Sequence, residues 1–309
     1  MHFVILCATR RGYLFVRKLT EIAPQHRLTV FSFPEDPWEP AYLDDIRELT
    51  LAKGGDFLVT KNIGGEKWHQ FWQDNDVDIM FTVSWRYMIP PQIYQRPRLG
   101  TYVFHDSILP EYRGFAPVVW AIINDEAYTG ATLFEIDEGF DEGDVIAQER
   151  VPIGATDTIA VVMEAVTQAY LNLLEQNLFN ILDQTAPRYK QDHSNATYTA
   201  KRLPIDNQID WSASTRTIYN LIRAVTRPYP GAFTYLCGQK VQIWSACYVP
   251  NEQRYVGRIP GRVVEVRSGE GSVVLTGDGS LLLREVQVEG GEVICASEVF
   301  NRVSHTLGQ

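Results

Sequence analysis

Three observations predict an α/β fold: a Rossmann-like, mostly parallel sheet with helices on both faces, followed by a small antiparallel β-barrel. Short β-branched apolar runs alternate with helix-period segments through the first half of the chain. One of those runs, VDIMFTVSW, is continuously apolar, as in a strand buried on both faces. After about residue 230 the pattern changes to short strands separated by Gly turns.

The opening HFVILC (residues 2–7) is a strand, and ATRRGY turns into a helical pattern of Leu14, Val16, Leu19 and Ile22. LTVFSF (28–33) is the second strand, and the segment 33–45, rich in proline, aromatics and acids, is a loop. A helix (IRELTLAKGG) closing on paired glycines, a strand (FLVT), a helix (EKWHQFWQDN) and a fourth strand (VDIMFTVSW) follow. Such alternation implies right-handed crossovers, with ligands at the carboxyl ends of the strands, where ATRRGY, SWRYMIP and HDSILP fall. Residues 156–182 form a long amphipathic helix with a threonine cap. The aperiodic stretch 183–208 is the candidate linker, which divides the chain into an α/β domain over 1–200 and a C-terminal domain over 201–309. The second begins with the helix TRTIYNLIRAVT and continues as five strands, FTYL, KVQIWSACYV, GRVVEV, SVVLTG and SLLLREVQVE.

A chain of 309 residues, 45% hydrophobic and 21% charged, has the composition of a soluble globular protein with room for two cores. No run approaches the roughly 20 apolar residues of a membrane span. The start MHFVILCATRRG carries its charges after the apolar run, the reverse of a secretory signal, so a cytoplasmic location without a membrane partner is expected. Cys7, Cys237, Cys247 and Cys295 show no metal-ligand spacing and are read as reduced, buried thiols. A net charge of −10 weighs against a nucleic-acid partner, although an acidic protein can carry a local basic patch. ATRRG is not a G-x-G-x-x-G fingerprint and gives no support for a dinucleotide. Its Arg10 and Arg11 are either anion contacts or a solvated pair at a helix entry.

The chain's chemistry concentrates between Thr101 and Gln148. A strand ends in His105 and Asp106, a Ser-x-x-Pro turn (Ser107 to Pro110) and an Arg-Gly-aromatic-x-Pro segment (Arg113 to Pro117) follow, and a second strand runs into the acidic loop Asp137 to Asp144. His105 can move a proton or bind a developing charge, and Asp141 can fix its tautomer. Taken singly, each is more often a structural or merely exposed residue.

Together and in order, these residues resemble the formyltransferase family that uses 10-formyltetrahydrofolate. That family pattern is Asn-x-His-x-Ser-Leu-Leu-Pro, then Tyr-Arg-Gly-x-x-Pro, then an acidic Asp-x-Gly loop. Here it reads His105, Ser107-Ile108-Leu109-Pro110, Tyr112-Arg113-Gly114, Pro117 and Asp141-Glu142-Gly143. The Arg202-to-Trp211 segment and Arg-Pro-Tyr-Pro-Gly-Ala-Phe (227–233) extend the resemblance over nearly the whole chain. It implies an OB-like barrel at the C-terminus, catalysis by His105 with Asp141, and no metal. Folate is implied against Trp85, Arg86, Tyr87, Met88 and Ile89 and against Glu138, Gly139 and Asp144. Substrate is implied at Ser107, Leu109, Pro110 and Arg113, with Arg10 and Arg11 beside them.

The chain departs from the pattern at Val103, where the family carries an asparagine that donates to the formyl oxygen. Losing one such donor costs roughly 3 to 4 kcal/mol. Three readings follow: another donor substitutes (Ser107, a backbone N–H or protonated His105), turnover is slow, or folate is bound without catalysis. The acceptor is read from the 33–45 loop, which has five acids and no Lys or Arg, whereas methionyl-tRNA formyltransferases are basic there. An amino sugar on a nucleotide, met by Arg10 or Arg11 and by Trp38 or Tyr42, is ranked first and initiator tRNA second. Formylation of an aminoacyl group on a carrier protein and hydrolysis of formyl-folate rank below these two. A homodimer is compatible with all four activities.

Overall fold

The computed structural model describes residues 1–249 and 253–308. In chain order the first elements are β1 (His2–Cys7), α1 (Thr9–Ile22), β2 (Arg27–Ser32), α2 (Leu43–Ala52), β3 (Asp56–Val59), α3 (His69–Asp74), β4 (Ile79–Val83), α4 (Pro91–Tyr94) and β5 (Thr101–His105). They continue with β6 (Arg113–Gly114), α5 (Pro117–Ile123), β7 (Tyr128–Glu135), β8 (Val145–Pro152), α6 (Ile159–Leu182) and β9 (Tyr198–Thr199). Contacts divide the chain into two compact units: Met1–Pro117 with Tyr128–Pro152 and Met163–Ala200, and Val118–Ala127 with Ile153–Val162 and Lys201–Gln309.

The first unit is a seven-stranded sheet in the order β3-β2-β1-β4-β5-β7-β8. Pairing is parallel from β3 through β5 and antiparallel for β5–β7 and β7–β8, as a mostly parallel sheet requires. The fourth strand stops at Val83 because Ser84 turns left-handed at φ 55°. The long helix starts at Ile159 rather than Thr156, since the Asp157 carboxylate instead accepts the Gly154 N–H at 2.7 Å and makes a turn there. β8 shows no strand pattern in the sequence because Gln148, Glu149 and Arg150 interrupt its apolar residues, as suits a strand at the sheet's edge.

Helices cover both faces of the sheet. On one, Leu6, Phe31 and Met80 pack with Trp68, Trp72, Ile89 and Ile93, and Trp85 and Ile136 lean on the same cluster. On the other, Phe15 of α1 meets Phe104 at 5.1 Å and Phe81 at 5.8 Å, and Tyr170 of α6 meets Phe104 at 5.1 Å. At the end of β5 this face becomes polar. Arg11, whose side chain is 6% exposed, pairs with Asp106 at 2.5 Å, donates to Thr167 at 3.2 Å and lies 4.5 Å from the Tyr170 ring. The Tyr170 hydroxyl donates to the Phe104 carbonyl at 2.9 Å and to Asp106. Side chains of α1 and α6 thus fasten the residue next to His105.

The second unit carries α7 (Thr215–Val225), β10 (Ala232–Leu236), β11 (Gln239–Tyr248), β12 (Val263–Arg267), β13 (Gly271–Leu275), β14 (Ser280–Val288), β15 (Val293–Cys295) and α8 (Ala296–Val299). Ser214 caps α7 by accepting the Thr217 N–H at 3.1 Å. The sheet is antiparallel in the order β10-β11-β14-β13-β12, with β15, a sixth strand too short to read from sequence, added to β14. The tail spans the two ends of that order: the Leu307 N–H donates to Gly261 beside β12, and the Gly308 N–H to Tyr235 of β10, both at 2.8 Å. All four cysteines are free thiols, but of the four only Cys7 is buried: Cys247 and Cys295 are half-buried, and Cys237, in the turn after β10, is exposed. No helix of the described residues is long and apolar enough to cross a membrane.

Burial raises the pKa of the Asp106 carboxyl, but the Arg11 charge and the hydrogen bonds from Arg11 and Tyr170 outweigh it and hold the group below the ordinary carboxylate range. A depressed folded-state pKa adds stability above the unfolded value, and that stability is lost as pH falls through the folded one. Asp106→Ala is therefore expected to cost about 3 kcal/mol at neutral pH, because it leaves Arg11 buried and without its carboxylate. Denaturant titrations of wild type and variant should show the gap narrowing below about pH 4. An equal gap at both pH values would show that the ion pair does not supply it.

Candidate active site

His105 is the last residue of β5 and lies at its carboxyl end, where a parallel sheet presents ligand sites. Its Nε2–H donates to the Tyr112 carbonyl at 2.9 Å. Because a carbonyl only accepts, the proton belongs on Nε2, and Nδ1 is left facing Asp141 Oδ2 at 3.7 Å. That is longer than a hydrogen bond, as is common for catalytic pairs before substrate arrives.

Asp141 is aimed by its backbone. It sits left-handed at φ 52°, its Oδ2 accepts the Gly114 N–H at 2.8 Å, and its carbonyl accepts from Gln191 Nε2 at 2.8 Å. Gln191 donates equally to the Gly143 carbonyl, and its Oε1 takes two bonds from Arg113, at 2.6 and 3.2 Å. The Arg113 side chain is fully buried and also donates to Glu142 and the Tyr198 hydroxyl, both at 3.1 Å. The loop is pinned so tightly that a Cβ at Gly143 would lie 1.7 Å from the Glu135 carbonyl oxygen. The aperiodic stretch after residue 183 therefore lies against the acidic loop, and Gln191, the residue that joins them, carried no signal in the sequence.

The turn between His105 and Arg113 is equally well held. Ser107 Oγ donates to the Glu111 carbonyl at 2.6 Å, and its own carbonyl accepts from Thr132 at 2.6 Å. The Leu109 N–H donates to Thr132 at 3.1 Å, and its carbonyl accepts from Gln148 at 2.8 Å. Ser107 thus spends its hydroxyl proton within the turn. Pro110 continues that turn, its carbonyl accepting from Thr197 at 3.3 Å. Val103 packs against Leu109, Phe134 and Val145, an apolar setting with no donor of its own.

The two segments with implied folate roles are neighbours. Trp85 and Ile136 pack on the cluster that contains Ile89, and Tyr94 of the same cluster has its phenol pKa raised by burial and by Glu138 and Asp137 of the loop. Tyr87 stacks edge-on against Phe33 at 4.9 Å, and Met88 stands 75% exposed. Arg86 is committed elsewhere: it pairs with Glu39 and with Asp36 and so ties down the acidic 33–45 loop. Glu138 and Gly139 are exposed on the loop, and the Asp144 carbonyl accepts from Glu135 at 3.0 Å.

Of the two N-terminal arginines, Arg11 is the buried strand anchor already described. Arg10, its side chain 47% exposed and paired with Glu164, is the one presented to solvent. Tyr13 and Tyr42 lie close by, their rings 6.1 Å apart, and Trp38 is exposed. Phe115 and Phe140, both exposed and 6.2 Å apart, flank Gly114 and Asp141 in sequence.

Two buried polar atoms on or beside these segments have no hydrogen-bond partner among the described residues: Thr82 Oγ1 and Trp85 Nε1. Each such atom costs about 1–3 kcal/mol unless a ligand completes it. Thr82 pairs with Val103 on β5 and Trp85 packs on the cluster that Ile136 joins, and open polar atoms there fit a polar heterocyclic ligand such as folate. No group of His, Cys, Asp and Glu among the described residues is arranged to hold a metal.

The family model for formyl transferase matches residues 52–178, and that for the formyl transferase C-terminal domain matches residues 204–304. Among solved structures, HypX from Aquifex aeolicus in complex with tetrahydrofolic acid aligns with a TM-score of 0.65 and 19% identity, over 96% of this chain and 46% of that one. This chain thus spans about half the length of HypX. An N-formyltransferase from Helicobacter canadensis, in complex with folinic acid and dTDP-3-aminofucose, gives 0.67 and 18% over 91% and 98% of the two chains. Methionyl-tRNA formyltransferase from Clostridium thermocellum gives 0.58 and 17% over 81% and 94%. At such identities the structures establish the fold, while the two family models between them take in most of the sequence. The chain belongs to the formyl transferase family.

Proposed function

We propose that this protein transfers a formyl group from 10-formyltetrahydrofolate to a primary amine, with an amino sugar carried on a nucleotide as the favoured acceptor. The observation that carries the reading is the His105–Asp141 pair at the carboxyl end of β5, with Asp141 aimed by Gly114 and Gln191. Catalysis is assigned to residues 1–200, and residues 201–309 are given a structural or acceptor-contacting role.

In this mechanism the amine nitrogen bonds to the formyl carbon, and the bond from that carbon to the folate nitrogen breaks. One proton leaves the attacking amine and one reaches the departing nitrogen, so none is consumed. His105 Nδ1 is the ring nitrogen not spent on Tyr112, and it is placed to relay that proton, with Asp141 stabilising the imidazolium that forms. Tyr112 fixes the ring's orientation from the other side.

The acceptor preference rests on charge. Arg10 beside Tyr13 and Tyr42 offers a single cation and aromatic surface, enough for a nucleoside diphosphate. The 33–45 loop, held by Arg86, presents carboxylates that would repel the phosphates of an acceptor stem. The direct test incubates the protein with 10-formyltetrahydrofolate and either nucleotide-linked amino sugars or charged initiator tRNA, and follows tetrahydrofolate release. Release with the sugars alone is the expected outcome, and release with tRNA alone would reverse the ranking.

His105→Ala and Asp141→Asn should each lower turnover by roughly 100-fold or more without unfolding the protein. Near-normal turnover in either variant would remove that residue from the mechanism. Gln191→Ala, which touches no reacting atom, should lower kcat roughly 10- to 100-fold by letting Asp141 drift. Hydrogen exchange should then quicken over residues 138–144, and if kcat fell with protection there unchanged, the positioning role would be wrong.

A further inference from the structure

We propose that the Thr82 hydroxyl is the side-chain donor to the oxyanion that forms during formyl transfer, an assignment that rests on the function proposed above. Attack on the formyl carbon places negative charge on its oxygen, and a positioned donor there is worth roughly 10²–10³ in kcat. The side chains nearest His105 cannot supply it. Val103 has no donor, Ser107 donates to Glu111, His105 commits Nε2 to Tyr112 and Nδ1 to the proton relay beside Asp141, and Arg113 is buried among Gln191, Glu142 and Tyr198.

Strand register brings forward a different group. Thr82 of β4 pairs directly with Val103 of β5, and directly paired residues project from the same face of a sheet. Residues two apart on a strand also share a face, so Thr82, Val103 and His105 belong to one side, with His105 one step nearer the carboxyl end. The same row holds Leu6 of β1 and Phe134 of β7. A threonine among Leu6, Val103 and Phe134 gains nothing from its hydroxyl, and Thr82 Oγ1 is buried without a hydrogen-bond partner among the described residues. An unmade bond at that place is explained if a substrate atom makes it. Rotation about one bond exchanges the hydroxyl and methyl positions of threonine, so the donor can turn towards a formyl oxygen lying between it and His105.

The test compares Thr82→Val, Thr82→Ser and Thr82→Val combined with Val103→Asn in the full chain, with His105→Ala as the inactive control. The readouts are kcat and KM for 10-formyltetrahydrofolate, with the best acceptor and with water alone, and the melting temperature. Thr82→Val is expected to lose about 100-fold in kcat with KM changed less than about twofold. Its melting temperature should be equal or higher, since valine fills the same space without an unpaired oxygen. Thr82→Ser should keep most of the turnover, and the added asparagine should recover at least about tenfold in the double variant. Retention of kcat by Thr82→Val while His105→Ala is inactive would overturn the donor and leave the formyl-transfer reading standing. An equal loss in the Val and Ser variants would overturn it too, because packing rather than the hydroxyl would then matter. If the wild type released no tetrahydrofolate with any acceptor or with water, the function itself would fall, and the donor with it.

Discussion

The site depends on one buried side chain, Arg113, and on the amide that shares its charge. Arg113 cannot reach solvent, so each of its N–H groups needs a partner from the chain, and Gln191 supplies the acceptor for two of them. The opposite end of the same amide holds the carbonyls of Asp141 and Gly143. A loop carrying five acids over eight residues, which would repel itself in isolation, is thereby fixed by a cation beneath it. The Asp141 carboxylate takes its place relative to His105 from that loop. Strand β5 fixes the histidine, and the Arg113–Gln191 hub fixes what faces it.

His105 is braced from behind by a second cation. Arg11, Asp106 and Tyr170 join α1, the end of β5 and α6, so the strand end that carries the histidine cannot fray independently of the helices over it. The two arginines serve the same end from opposite sides: each is withdrawn from solvent, and each converts a flexible connection into a fixed one. The burial of both is favourable only because carboxylates and amide oxygens meet them at close range.

What the sequence disclosed follows this division between local and distant partners. The strand-helix alternation, the end of β5 at His105 and the acidic loop are written in neighbouring residues, and each stands where its local pattern implies. Gln191 meets Arg113 from 78 positions away, in a stretch with no periodicity, so no local rule singles it out. Composition likewise does not tell a buried arginine from an exposed one, and Arg10 and Arg11, adjacent in sequence, have opposite fates because successive helical residues point in different directions. The three residues of β15 are too few to show an alternation. The gap at Val103 is visible in the sequence, whereas Thr82, 21 residues earlier, becomes its neighbour only through the register of β4 on β5.

The distribution of cations also bears on what the protein can accept. Four arginines lie on the segments around the site, and each already has a carboxylate: Arg10 with Glu164, Arg11 with Asp106, Arg86 with Glu39 and Asp36, and Arg113 with Glu142. A polyphosphate chain gains affinity by releasing counterions from many phosphates, which requires several free cations in a row. Here each new phosphate contact must first displace an internal partner, and for Arg11 and Arg113 that means unpairing a buried charge. The Arg10–Glu164 pair is exposed enough to be exchanged at little cost, because surface pairs contribute on the order of 1 kcal/mol or less. The proposed ranking of a nucleotide-linked amino sugar above tRNA rests on this commitment of the arginines to internal carboxylates and on the acidic 33–45 loop.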